Sequence, residues 1–210
     1  VGDNATVTTL GSNIQNDGGG LAATILADAW CSTGAGASNS NTGYALVMSD
    51  NHSTATGWVA TKVYDNGSII TQTVQAADRQ VNSEVCAVTH LGGTFYLAVN
   101  DDGGGDNVSV FKSTDAVTWS QIGIDLDVGA AVTSIAITTN GSTVSDNAVW
   151  VAANVNGDVN LIHYEDIAGG TSYAWRSVGV IIGNAGTSGV SVAADGASVI
   201  AASAIVGGET

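Results

Sequence analysis

Basic residues are nearly absent. Four Lys and Arg stand against 19 Asp and Glu in 210 residues, a net charge of −15. Nucleic-acid binding requires cations that displace counterions from phosphate. Lys62, Arg79, Lys112 and Arg176 are too few and too scattered to line a groove, which argues against nucleic acid and anionic membrane surfaces as partners. Charged residues of either sign are also scarce, at 11% of the chain, where an ordinary globular domain carries about 25%. Asn, Ser, Thr and Gly supply the polarity instead, a composition that suits an extracellular or cell-surface protein. Long apolar runs are missing, so no membrane insertion by a helix is expected. The chain opens on Val1 with no secretory leader, which reads as a processed mature chain. There is no proline, and there are two cysteines.

What is present is a repeat. One strand pattern recurs as Tyr44-Ala-Leu-Val-Met-Ser-Asp50, Phe95-Tyr-Leu-Ala-Val-Asn-Asp101, Val149-Trp-Val-Ala-Ala-Asn154 and Ser198-Val-Ile-Ala-Ala-Ser203. Successive copies are offset by 51, 54 and 49 residues. Alternating β-branched and aromatic runs, broken by Gly, Asn and Asp, predict four strands per unit: Leu21–Ala27, Tyr44–Ser49, Trp58–Tyr64 and Ile69–Val74, then Glu84–Leu91, Phe95–Asn100, Val108–Ser113 and Thr118–Ile124, then Val132–Thr139, Val149–Asn154, Val159–Tyr164 and Tyr173–Val180, with Val190–Ala194 and Ser198–Ile205 in the partial last unit. No helix of useful length is expected. A period of this size with four strands per unit predicts an all-β, four-bladed β-propeller. Short strands with regular turns also suit a β-sandwich, which is the alternative fold.

The units divide one domain, 1–210, into a closing strand (1–20), blades at 21–78, 79–127 and 128–183, and a partial blade at 184–210. The fourth strands share an aromatic-x-x-aliphatic-Gly pattern, Trp119-Ser-Gln-Ile-Gly123 and Trp175-Arg-Ser-Val-Gly179. Val7-Thr-Thr-Leu-Gly11 repeats its aliphatic-Gly end. The N-terminus thus reads as a fourth strand, and 184–210 as a first and second strand of the same blade. The third strand of that blade has no candidate: either the blade has three strands, or Val206–Thr210 continues into further residues, or a neighbouring subunit supplies the strand, since an unpaired edge is a template for strand addition between chains.

Ser113-Thr-Asp-Ala-Val-Thr-Trp119 resembles the Asp-box of sialidase-like β-propellers, Ser-x-Asp-x-Gly-x-Thr-Trp, with one residue fewer and without the glycine. In that family the box is a structural turn on the blade rim. The resemblance therefore implies fold, and a turn role for Ser113, Asp115, Thr118 and Trp119. It does not imply hydrolysis: those enzymes grip a substrate carboxylate with three arginines, and this chain has two, Arg79 and Arg176.

Other candidate sites are few. Asp101, Asp102 and Asp106, in a glycine-rich loop, form a candidate Ca²⁺ site, because hard cations take clustered carboxylate and carbonyl oxygens; the competing reading is an acidic hairpin loop. Trp30 opens a long Gly/Ser/Asn loop reaching Thr42, a candidate contact loop with Asn39 and Asn41. For Cys31 and Cys86, export favours a disulfide. Strand geometry opposes one, since an eight-residue strand spans about 26 Å between the expected positions, unless the loop folds back. His52, His90 and His163 have no second ligand at zinc spacing, and there is no Gly-x-Ser-x-Gly elbow. The chain is expected not to be an enzyme and to need no cofactor beyond the candidate Ca²⁺. The expected role is an extracellular structural protein whose partner is itself, a filament or surface-assembly subunit joined by strand or terminal contacts. A glycan-binding module is the alternative, and a secreted carbohydrate-active enzyme comes third.

Overall fold

The computed structural model describes the backbone of residues 31–35, 44–50, 58–64, 69–74, 85–100, 107–116, 118–141, 144–166, 173–184, 186, 189–196 and 198–203. Side chains are described from residue 85 onward.

The chain is all-β. Sheet 1 contains β1 (Cys31–Ala35), β2 (Tyr44–Asp50), β3 (Trp58–Tyr64) and β4 (Ile69–Val74), in chain order. Sheet 2 contains β5 (Cys86–Leu91), β6 (Thr94–Asn100) and β7 (Asn107–Ser113), with two short strands, β8 (Ser120–Gln121) and β9 (Leu126–Asp127), both paired to β7. Sheet 3 contains β10 (Val132–Thr139), β11 (Val149–Val155), β12 (Asp158–Asp166) and β13 (Tyr173–Ile182). Sheet 4 contains β14 (Val190–Ala194) and β15 (Val199–Ser203). Every pairing is antiparallel. No closed sheet forms among the described residues.

Local sequence explains the meanders. Gly92 and Gly93, at φ 53° and 88°, make the two-residue turn between β5 and β6. Asn156 and Gly157, at φ 50° and 89°, do the same between β11 and β12. Two consecutive positive φ angles match the right-handed twist of the strands they join, which is why Asn-Gly and Gly-Gly occupy such turns.

One expected loop and one expected strand need correction. The expected first strand, Leu21–Ala27, lies outside the described residues, and β1 falls inside the segment expected to be a loop. Cys31–Ala35 has small residues and a glycine, a weak strand signal, yet it pairs residue for residue with β2, from Cys31↔Met48 to Ala35↔Tyr44. Backbone pairing with a strong neighbour outweighs intrinsic preference. The expected fourth strand of sheet 2, Thr118–Ile124, is broken. Ile122 still donates its N–H to Val110 O at 2.8 Å. Gly123 then turns the chain out at φ 71°, and pairing resumes at Leu126↔Val108.

Sheets 2, 3 and 4 stack face to face. Alternate residues of β6 and β7 (Tyr96, Ala98, Val108, Val110) share one buried cluster with alternate residues of β11 (Val149, Val151, Ala153, Val155). The opposite face of β11 joins the next layer, where Ala152, Val159 and Leu161 pack with Val190, Val192, Val199 and Ala201. Strand β6 is buried along its whole length, as expected of a strand covered on both faces. The first strands touch in succession: β1 packs on β5, β5 on β10, and β10 on β14.

Candidate functional site

Sheet 4 is where the stack is least complete. Val190, Val192, Val199 and Ala201 face sheet 3. Ser191, Ala193, Ile200 and Ala202 face the other way and are exposed, Ile200 at 67%. Asp195 N–H donates to Ser198 O at 3.2 Å, which fixes the alternation of the β14–β15 ladder. Narrow pairs then fall at Ala193↔Ile200 and Ser191↔Ala202. The backbone groups of Val199, Ala201 and Ser203 therefore point to the outer edge of β15, which pairs with no other strand among the described residues.

Three kinds of tie join sheets 2 and 3, and the first of them recurs between sheets 3 and 4. Asn100, ending β6, donates its amide to Val132 O at 3.5 Å, and Asn154, near the end of β11, donates to Gly186 O at 2.8 Å. Both bonds span 32 residues and reach the entry to the next sheet's first strand, so the repeated asparagine is an inter-sheet latch. Trp175 of β13 donates its indole N–H to Ile122 O at 2.5 Å, and its ring lies beside Tyr164, with centroids 4.9 Å apart. Both rings cover Gly123, where an added Cβ would meet Tyr164 Cε2 at 2.8 Å and Trp175 Cδ1 at 3.3 Å. Lys112 of β7 bridges both oxygens of Asp146, at 2.9 and 2.7 Å, in the 3₁₀ turn Asp146–Ala148. Tyr96, opposite Lys112 in register, buries its hydroxyl with no hydrogen-bond partner among the described residues. Burial, and secondarily the Asp146 carboxylate, push its phenol above the ordinary 10.0.

The Asp-box-like segment forms a side-chain-closed turn. Asp115 Oδ1 accepts from Thr118 N–H at 2.7 Å and from Ser113 Oγ at 3.0 Å. Ala116 takes φ 54° where a glycine is easier to place. Trp119 is buried against Phe95, at a centroid distance of 6.5 Å. Cys86 is disulfide-bonded, and the chain has one other cysteine, Cys31. The expectation that strand length separates them rested on a first strand at Leu21–Ala27, which lies outside the described residues. Cys31 opens β1 and Cys86 opens β5, and these strands pack together.

Trp30, Asn39 and Asn41 lie outside the described residues, as do Asp101, Asp102 and Asp106. Among the described residues no group of three His, Cys, Asp or Glu side chains is placed to hold a metal. An open cleft of about 570 Å³ lies between Thr139, Gly141 and Ala194–Gly196, with Asp195 the one ionisable side chain among the described residues that line it. Sequence reasoning missed the exposed face at Ile200 and the role of the fourth-strand glycine, although the aromatic-x-x-aliphatic-Gly repeat was the signal for the latter.

No protein-family model, curated protein or solved structure matches the chain.

Proposed function

We propose that the chain is a subunit of an extracellular filament or surface assembly, and that its four sheets are the blades of a four-bladed β-propeller whose last blade is the joint between subunits. The propeller reading is supported by the serial contact of the four first strands and by the face-to-face stacking of successive sheets. The extracellular reading is supported by the low charge content and the disulfide at Cys86.

One observation carries the assembly reading: β15 directs the backbone groups of Val199, Ala201 and Ser203 to an edge beside an exposed apolar residue, Ile200. Natural sheets blunt such edges with charge, proline or a covering element. Strand addition from a second copy satisfies the backbone groups and covers Ile200 together; it builds a filament where the added strand comes from a different part of that copy, whereas β15 on β15 closes as a dimer.

Replacing Ala201 with proline removes an outward N–H without touching a narrow pair of the β14–β15 ladder. Sedimentation velocity of wild type and Ala201→Pro over a concentration series tests the joint. The wild type is expected to grow in mass with concentration, and Ala201→Pro to stay monomeric with an unchanged circular-dichroism spectrum. Equal growth in both would remove the β15 edge as the joint.

A further inference from the structure

Strand addition at β15 needs a donor strand, and the edges of the other sheets differ in what they offer. The first strands β1, β5, β10 and β14 lie against one another in succession, which keeps them from a second copy. Three fourth-strand edges remain among the described residues. The edge of sheet 2 is two fragments of two residues each, parted where Gly123 turns the chain out. The edge of sheet 3, β13, is long but irregular. Its register with β12 shifts between Val159 and Asn160 and again between Leu161 and Ile162. Val178 and Ile181 are the extra residues that pair with nothing on β12. Such bulges bend a strand and turn its edge away from further pairing. β13 also carries Arg176, ion-paired to Glu165 at 3.1 Å, and charge on an edge is a second guard. β4 has neither guard. It pairs with β3 from Trp58↔Val74 to Val63↔Ile69 without a shift, and its sequence, Ile-Ile-Thr-Gln-Thr-Val, has no charged residue.

We propose that β4 of one copy is the strand added to β15 of the next. The inference rests on the assembly reading and deepens it by naming the partner edge. The two edges match in regularity: β15 pairs with β14 from Val190↔Ser203 to Ala194↔Val199, also without a shift. They match in charge, since Val-Ile-Ala-Ala-Ser is uncharged as well. In a chain of net charge −15, two uncharged strands are the surfaces that copies bring together with least repulsion. Antiparallel addition merges the two strands of sheet 4 and the four strands of sheet 1 into one six-stranded sheet, an ordinary size. β4 and β15 are different parts of the chain, so every added copy leaves an edge free and the contact propagates.

Two proline variants test the pairing by sedimentation velocity. Ala201→Pro blocks β15. Gln72→Pro blocks β4, because Gln72 directs its N–H outward. In sheet 2, Val110 offers its carbonyl to the fourth strand, where Ile122 N–H meets it. Thr61 holds that place in sheet 1, opposite Val47 as Val110 is opposite Ala98. Thr61↔Thr71 is then a narrow pair, and Gln72 points away from β3. Each variant alone is expected to stay monomeric with an unchanged circular-dichroism spectrum. Their equimolar mixture is expected to form a complex of two chains that grows no further, one supplying β4 and the other β15. Growth of Gln72→Pro like that of the wild type would overturn β4 as the donor and leave the β15 edge standing. Gln72→Pro stopping as a dimer would put β15 on β15 instead. A mixture that stays monomeric while the wild type grows would also overturn the pairing. A wild type that never associates would remove the assembly reading and this inference with it. A second readout needs no proline: p-benzoylphenylalanine replaces Gln72 in an equal mixture of ¹⁴N and ¹⁵N chains, which is irradiated. Mass spectrometry is expected to find the cross-link in residues 190–203, joining the two isotopes. Cross-links elsewhere, or confined to chains of one isotope, would contradict the proposal.

Discussion

At Gly123 two demands meet at one atom. The backbone needs φ 71°, and the space where a Cβ would go holds the Tyr164 ring. Gly123→Ala is expected to lose about 1 kcal/mol for the backbone and about 1–3 kcal/mol more for overpacking. Gly129 separates the two costs, because it has φ 75° but nothing among the described residues within 4 Å of an added Cβ. Gly129→Ala should lose only the first amount, and urea unfolding of both variants measures the difference. Tyr96 gives a pH prediction. Its phenol is held above 10.0 in the folded chain by burial and by Asp146. The folded state therefore keeps a proton that the unfolded state releases, and stability falls as pH rises past 10.0. Tyr96→Phe also removes a buried hydroxyl that has no partner. It should therefore be neutral or stabilising at pH 7 and should flatten the alkaline decline, both read from thermal melts across pH.

At the scale of strands, the latching asparagines are similar but unequal. Asn154 donates to Gly186 O at 2.8 Å and accepts from Gly157 N–H at 3.1 Å. Asn100 has a longer bond, 3.5 Å, and leaves its side-chain oxygen unpartnered. Asn154→Ala is expected to cost about 1–3 kcal/mol and Asn100→Ala less, by denaturant unfolding. Most strands were legible in the sequence: β3, β4, β10 and β14 fall where their alternation and bounding turn residues place them. Alternation fails where backbone geometry decides. β1 has almost no side-chain signal and exists through its partner β2. The fourth strand of sheet 2 splits because Gly123 turns outward to seat rings 41 and 52 residues away in sequence, which no local window contains. The Asp115 turn was legible because its bonds reach only two or three residues.

At the scale of the molecule, two facts pull against each other. The last sheet presents a β edge and an exposed Ile200, which favour association. The net charge of −15 opposes it. Repulsion between exposed charges is screened beyond about 10 Å at 0.1 M salt and reaches about 30 Å at 0.01 M, whereas strand pairing acts at contact. The balance therefore shifts with ionic strength, and association belongs to the higher-salt regime. The first measurement is electron microscopy of the purified chain over a concentration series at about 0.15 M salt, where charges are screened within about 8 Å. Filaments with a regular axial repeat, growing longer with concentration, are the predicted result. Single compact particles at every concentration would contradict the account of this chain as an assembly subunit.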